Sequence, residues 1–356
     1  MSKKVAIAVS GGVDSSTAAW LLKEGGYDVV GVTMCLGIPT AEDGPVKCCG
    51  PKEIEDARRV CQKLGIPHYV LDFAGDLDAM VIRPFVAEYL RGRTPNPCVE
   101  CNRSIKFGTL LQKVRAMGFE YLATGHYARV DHDHVPSRLR VPRDTRKDQT
   151  YFLYAMGKEE LRHVLFPLAN YHKDEVRKLA AAAHLPTSEK PDSQDICFIP
   201  KEGLELFIKR YAEEKIHPGD IVNREGRVLG RHRGLPFYTI GQRGGLGISN
   251  PVPLYVLSLD VPGNRLIVGE KHEVRATGLI ADGLNLLVDR PPARATAKIR
   301  YAHRAAPCRI DWEDESMGVY FDQPQEAITP GQSVVVYDGD VVAGGGIIKE
   351  VIHDKP

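Results

Sequence analysis

Val5-Ala6-Ile7-Ala8-Val9 is an apolar run without polar alternation, the pattern of a strand covered on both faces in a parallel sheet. Thr17 to Glu24 then reads as a helix stopped by Gly25-Gly26. Val29 to Met34 predicts a second strand, Lys52 to Leu64 an amphipathic helix closed by Gly65, and Tyr69-Val70-Leu71 a third strand. This alternation runs through roughly the first 190 residues and predicts an α/β domain with a parallel sheet. Asp174 to Ala183 closes it as a helix, and Gly203 to Lys215 begins a smaller unit. Short strands and Gly/Pro turns follow from Gly219-Asp220. From Ala276 the pattern is all-β: Ala297 to Tyr301, Gly318 to Phe321, Ser333 to Tyr337 and Val341 to Val351 are spaced as in a small barrel. The expected domains are 1–202, 203–274 and 275–356.

Length and charge narrow the picture. A chain of 356 residues accommodates such domains, each with its own core. Its 47 Lys and Arg against 46 Asp and Glu leave a net charge of +1, so any nucleic acid must be held by local patches. The apolar run after Met1-Ser2-Lys3-Lys4 is too short for a signal peptide and no long apolar segment follows, so the expectation is a soluble cytoplasmic protein without a membrane partner. Eight cysteines over this length do not form a disulfide framework. Cys35, Cys61 and Cys308 sit in apolar surroundings and are expected in cores, while Cys48-Cys49 is read as structural or incidental.

The chemistry starts at Ser10-Gly11-Gly12-Val13-Asp14-Ser15-Ser16, between the first strand and its helix. Its glycines let a phosphate approach the backbone, Ser15 or Ser16 can cap the helix, and the helix N-terminus adds an anion site. It is not a Walker A loop, because no Lys stands in the turn. Further on, Arg91 to Arg103 contains Thr94-Pro95-Asn96-Pro97-Cys98-Val99-Glu100-Cys101-Asn102. The prolines predict an extended approach to a C-x-x-C just before a helix starting near Ile105, where nearby cations would lower a thiol pKa. A zinc site would want a second ligand pair, and none follows. Cys197 alone reads as a core residue of a short strand, or as the partner of Cys98 and Cys101 in a two-thiol mechanism. Two basic stretches suit phosphate: Arg138, Arg140, Arg143, Arg146 and Lys147, then Arg227, Arg231, His232 and Arg233 beside Phe237 and Tyr238.

The opening loop resembles the pyrophosphate-binding loop of the ATP pyrophosphatases, which adenylate an oxygen and release pyrophosphate. Taken with Thr94 to Pro97, Cys101-Asn102, Ile105-Lys106-Phe107, Ala123 to Tyr127, Lys147 to Gln149, Tyr151 to Leu153, Ile196-Cys197-Phe198, Gly234 to Arg243 and Thr329 to Gln332, in that order, the whole chain resembles the bacterial tRNA-specific 2-thiouridylases. The resemblance implies a PP-loop nucleotide-binding domain with a parallel sheet, a small α+β linker domain and a C-terminal β-barrel. It implies an ATP site at Ala8, Val9, Ser10, Gly11, Gly12, Val13, Asp14, Ser15, Met34 and Gly125, with Asp14 near magnesium. It implies a persulfide on Cys197, Cys101 as the nucleophile that ends in a Cys101–Cys197 disulfide, and tRNA contacts at His126, Lys147, Asp148, Gln149, Arg300, Tyr301 and Gln332. The partners implied are tRNA with an unmodified wobble uridine and a sulfur-carrier or cysteine-desulfurase-linked donor protein.

Many members of that family carry an Asp where this chain has Cys98, so no carboxylate can take that role here. An alternative therefore stands beside the persulfide: Cys98, Cys101 and Cys197 as ligands of a 4Fe–4S cluster that holds hydrosulfide. Outside this class stand a small-molecule adenylating amide ligase and a non-catalytic RNA-binding module.

Overall fold

The computed structural model describes residues 2–38, 51–192, 196–200 and 202–353; Cys48 and Cys49 lie outside the described residues. Contacts divide the chain into two compact units. One comprises Met1–Val81, Cys98–Phe198 and Asp340–Val342, the other Ile82–Pro97, Ile199–Gly339 and Ala343–Pro356.

The first unit is built on a parallel sheet. Strands β1 (Lys4–Ala8), β2 (Asp28–Cys35), β3 (His68–Asp72) and β4 (Tyr121–Ala123), with Val164–Leu165 at one edge, stand in the order β3-β2-β1-β4-edge. All four pairings are parallel. The chain leaves β1 for β2 on one side and later returns to β4 on the other, so strand order reverses at β1. Ligands of such sheets bind at the carboxyl ends of the strands where that reversal opens a crevice. The loop Ser10 to Asp14 occupies that place.

Helix α1 (Val13–Glu24) follows the loop and helix α2 (Pro51–Leu64) precedes β3. Val5 and Ile7 of β1 and Val9 just after it pack with Ala18 and Leu22 of α1, Ala57 and Val60 of α2, and Val176 and Ala180 of the helix Lys173–Ala182. Each large side chain so buried contributes about 1.5–3 kcal/mol. Three helices therefore fix the ground under the loop. Cys35 and Cys61 are buried, as expected, and so is Cys308 in the other unit.

The second unit holds a four-stranded sheet and a closed barrel. Gly219–Val222, Val228–His232, Tyr255–Asp260 and Arg265–Gly269 form the former. The barrel runs Arg275–Leu286, Ser316–Glu326, Ala306–Trp312, Arg294–Lys298, Ser333–Asp338, Val341–Ile352, and its first and last strands pair from Gly278–Ile352 to Leu286–Gly344. Period-two patterning carries it: in Ala306–Trp312, Cys308 and Ile310 are buried while Pro307, Arg309 and Asp311 face water. The expected strand Ala297 to Tyr301 lies three residues earlier, at Arg294–Lys298, because the chain turns after Lys298, where Arg300 Nη1 donates to the Glu326 carbonyl at 2.9 Å. Among the described residues no helix is long and apolar enough to cross a membrane.

Candidate functional site

The loop at the end of the first strand is closed by its own serines. The Ser10 amide donates to Ser15 Oγ at 3.2 Å, and the Ser15 and Ser16 hydroxyls donate to the Gly12 carbonyl at 3.1 and 2.8 Å. Neither serine caps the helix, contrary to the sequence expectation. Gly12 is the N-cap, without a side-chain cap, because the serines fall inside the first turns and bond backwards. The first amides of α1 thus have no intrahelical acceptor and point outward, as an anion needs.

Two glycines are required by what surrounds them. Gly11 has φ +70°, and a Cβ there would lie 2.6 Å from the Glu53 carbonyl oxygen. A Cβ on Gly125 would lie 2.7 Å from Ser15 N and 2.8 Å from Asp14 C, so the chain after β4 packs backbone to backbone on the loop. Ala8, Val9 and Val13 sit at the strand end and helix start, and Met34 is half-buried near the end of β2.

One residue of this site was not foreseen. Lys173, 6% exposed, opens the helix Lys173–Ala182 and reaches back to the loop. Its ammonium donates to Asp14 Oδ1 and Oδ2 at 2.6 and 2.7 Å and pairs with Asp192 Oδ1 at 2.8 Å. The Tyr127 hydroxyl donates to Asp14 Oδ1 at 2.9 Å; burial, then Asp14 itself, holds that phenol pKa far above its ordinary value. Lys147 and Arg177 also pair with Asp192, at 2.9 and 2.8 Å. Desolvation pushes the Asp192 pKa up, but the hydrogen bonds from Lys173 and Lys147 outweigh it and bring it down to about 2. The missed signal was the Lys immediately before the predicted helix Asp174 to Ala183.

The cysteines gather in the same unit. Pro97 starts the helix rather than extending the approach to it, since proline suits the first helical position, and Pro97–Glu100 continues into wide π-type turns over Cys101–Leu110. Cys98 and Cys101 therefore stand one turn apart. Asn102 Nδ2 donates to the Phe152 carbonyl at 3.0 Å, joining two motifs distant in sequence. Cys197 lies on a turn with an exposed residue surface, not in a core strand. Desolvation, then Cys101, pushes its thiol pKa up to about 11, with Cys98 raising it further and Lys106 opposing. Burial also pushes the Cys98 and Cys101 thiols up, again against Lys106. The expected lowering by surrounding arginines is thus not found; desolvation wins. Cys101 and Cys197 are thiols, not joined in a disulfide.

The 4Fe–4S alternative finds no support in this arrangement. Among the described residues no group of three or more Cys, His, Asp or Glu is placed to hold a metal ion.

His126, beside this cluster, bonds Thr124 Oγ1 through Nδ1 at 2.8 Å. Its ring lies 6.1 Å from those of Phe107 and Phe166. Burial, then Lys106, lowers its pKa well below the ordinary value, so the imidazole is neutral. The other implied tRNA contacts in this unit are engaged internally: Asp148 Oδ1 accepts from the Thr150 amide and hydroxyl at 2.9 and 2.6 Å, and Gln149 Oε1 from the Tyr127 amide at 2.9 Å.

The basic stretches are also largely paired. Arg140 binds Asp340 and Asp131, Arg143 lies 3.6 Å from Glu175, and Arg146 binds Asp144, while Arg138 is exposed. In the second unit Arg231 pairs with Asp220 and Arg233 with Glu205, and His232 and Tyr238 are buried. Carboxylates distant in sequence answered most of these cations. That unit has its own cavity of about 620 Å³, lined among others by Thr94, Gln242, Lys271, Arg300 and Gln332. Gln332 Nε2 donates to the Thr94 carbonyl at 2.8 Å, and Tyr301 is 38% exposed.

Three family models match this chain: a tRNA methyl transferase HUP domain over residues 3–201, a tRNA methyl transferase PRC-barrel domain over 205–270 and an aminomethyltransferase β-barrel domain over 276–348. Curated relatives match over nearly full length. A tRNA-specific 2-thiouridylase MnmA 1 of Syntrophus aciditrophicus is 54% identical over 353 residues, 99% of this chain and 94% of the relative. A tRNA-specific 2-thiouridylase MnmA of Moorella thermoacetica is 50% identical over 97% of this chain and 99% of the relative. That of Clostridium acetobutylicum is 46% identical, covering 98% and 100%.

Proposed function

The chain belongs to the tRNA-specific 2-thiouridylase family, and from that membership we propose that it replaces the C2 oxygen of the wobble uridine of tRNA by sulfur at the expense of ATP. The observation that carries the reading is local. The glycine loop stands where strand order reverses in the parallel sheet, with Gly12 as the N-cap of α1 and the backbone after β4 packed against it at Gly125.

A uridine C2 carbonyl is a poor electrophile, because its oxygen would have to leave as hydroxide. The O2 atom attacks the α-phosphorus of ATP, the bond to the β-phosphate breaks, and pyrophosphate leaves among the loop amides of Ser10 to Ser15. Asp14 is the carboxylate that would hold a magnesium ion brought by the nucleotide, which would offset the phosphate charge, since this ion takes one or two carboxylates plus phosphate oxygens. The terminal sulfur of a Cys197 persulfide then attacks C2, and AMP leaves with the former O2. The Cys101 sulfur attacks Cys197 Sγ, breaking the sulfur–sulfur bond. The sulfane sulfur is reduced to the thiocarbonyl, Cys101 and Cys197 are oxidised to a disulfide, and their protons pass to solvent. A donor protein reloads the persulfide after a thiol reductant has opened the disulfide.

The base must leave its stack to react, at a cost of a few kcal/mol. Neutral His126 suits a base edge rather than a phosphate. Lys147, Asp148 and Gln149 are assigned a supporting part at the tRNA site, through Asp192 and Tyr127. In the modules 203–274 and 275–356, the cavity lined by Arg300 and Gln332, with exposed Tyr301 nearby in sequence, is assigned to tRNA.

The test is pyrophosphate release together with mass spectrometry of wobble nucleosides after incubation with ATP, a sulfur donor and unmodified tRNA. Stimulation of release by tRNA and formation of 2-thiouridine are expected. Release indifferent to tRNA would point to the amide ligase, and no ATP consumption to the RNA-binding module.

A further inference from the structure

The helix that carries the cysteines is wound more widely than an α-helix from Cys101 to Leu110. At its end the Leu111 amide reaches the Lys106 carbonyl, five residues back, and the Thr109 hydroxyl donates to the Ser104 carbonyl at 3.2 Å. Such winding is rare and gathers at functional sites. Here it changes which side chain stands near Cys101. In an α-helix the neighbours of Cys101 on its own face would be Ser104 and Ile105, and Lys106 would point about 140° away. With hydrogen bonds that span five residues, half-buried Lys106 comes round to the Cys101 face, beside fully buried Ile105.

The carboxylate next to this pair is engaged elsewhere. Glu100 accepts from the Ser104 hydroxyl and lies 3.9 Å from Arg103 Nε. The elements packed on the wide turns carry Asp76 on Ala74–Leu77 and Lys113 and Arg115 on Leu111–Ala116, while Thr150–Leu153 carries no charge. Lys113 stands over the Phe73 ring at 4.3 Å. Burial pushes the thiols of Cys98, Cys101 and Cys197 up, and the Lys106 ammonium opposes it at each. The same ammonium helps keep His126 neutral. Groups from three separate segments of the unit thus feel one cation.

We propose that Lys106 is a further residue of the sulfur-transfer step: the wide turns bring its ammonium to the Cys101 face of the helix, where it stabilises the thiolate that attacks Cys197 Sγ. The inference rests on the reading of Cys101 as the nucleophile. The Cys101 proton passes to solvent before the attack. The new bond joins the two cysteine sulfurs, and the bond from Cys197 Sγ to the transferred sulfur breaks, leaving its electron pair on that sulfur. An α-helical winding would surround the same anion with Ser104 and Ile105 and turn the cation away.

The full-length protein, loaded with persulfide on Cys197, tests this in single turnovers with ATP, magnesium and unmodified tRNA at a series of pH values. Mass spectrometry of unreduced peptides reads the Cys101–Cys197 disulfide as it forms. Removing an opposite charge beside a thiolate moves its titration up by about one unit. Lys106→Met should therefore form the disulfide about 10-fold more slowly at pH 8 and recover toward the wild-type rate as pH rises. Lys106→Arg keeps the charge and should follow the wild-type curve. Lys113→Met, which removes an exposed cation from the next helix, should follow it too. A merely structural part for Lys106 would lower the rate alike at every pH. A wild-type curve in Lys106→Met, or a loss equal at every pH, overturns the proposal. If Lys106→Met does not fold, Lys106→Gln takes its place with the same expectation. Formation of 2-thiouridine by Cys101→Ser at the wild-type rate overturns instead the reading of Cys101 as the nucleophile.

Discussion

Gly125→Ala is the sharpest single perturbation of the nucleotide pocket, because its effect follows from one added carbon. The Cβ would stand 2.7 Å from Ser15 N, 2.8 Å from Asp14 C and 2.9 Å from Ser15 Cα. All three are backbone atoms, so no side chain can swing away. Ordinary contact begins near 3.4 Å, and the loop and the end of β4 must separate by about 0.5–0.7 Å. Overpacking of this kind costs about 1–3 kcal/mol of stability. The functional cost is larger than the stability cost implies, since a displacement approaching 1 Å at a reacting group lowers rate about 100-fold. We expect ATP-dependent pyrophosphate release to fall about 10- to 100-fold while circular dichroism at 20–25 °C stays that of a folded protein. Gly75→Ala is the control. A Cβ there meets nothing within 4 Å, φ is not positive, and the residue is exposed in a short helix. It should leave release unchanged and stabilise the fold by about 0.4–1 kcal/mol. Release by Gly125→Ala within about twofold of wild type would refute the argument that the loop is seated on the backbone of residue 125.

Three further outcomes follow from the site. Cys197→Ser should abolish formation of 2-thiouridine while tRNA affinity in a filter-binding assay stays within about twofold; retained thiolation would remove Cys197 from the sulfur path. Because desolvation and the neighbouring Cys101 push the Cys197 thiol pKa up to about 11, its alkylation in nucleotide-free protein should be slow at pH 8 and still rising at pH 10. A plateau by pH 9 would contradict the desolvated position. The Asp192 carboxyl is lowered to about 2 in the folded chain, below its value of 3.8 when unfolded, so it contributes stability above pH 4 that is lost as pH falls toward 2. That contribution is about 2 kcal/mol, and Asp192→Asn should flatten the dependence of urea midpoint on pH across this window; an unchanged slope would show that the ion pairs do not set it.

Local pattern made the parallel sheet readable from the sequence, since Val5 to Val9 and Val29 to Met34 are apolar runs between helix-formers and glycines. The glycine loop was readable too, because a turn between a buried strand and a helix needs φ freedom at a definite residue. What escaped were the partners of charges. Arg140 finds Asp340, and Lys173 finds Asp14, across long stretches of chain whose register no local pattern encodes. The same holds for the thiols: arginines near Cys98 in sequence suggested a lowered pKa, whereas burial in the folded unit raises it. The start of the cysteine helix was misplaced because Pro97 serves equally as the end of an extended segment and as a first helical residue.

The contact between Asp14 and Lys173 also orders events during synthesis. A nascent chain leaving the ribosome carries the residues of its glycine loop and first helix early, but lacks the ammonium until 159 more residues have been joined. At 5–20 residues per second that interval lasts about 8–32 s. Cys98 and Cys101 emerge within it, and Asp192 and Cys197 shortly after it. The carboxylate of the glycine loop therefore gains its ammonium partner at about the time the cysteine segments are complete, and a fragment ending before Lys173 would display Asp14 without that partner.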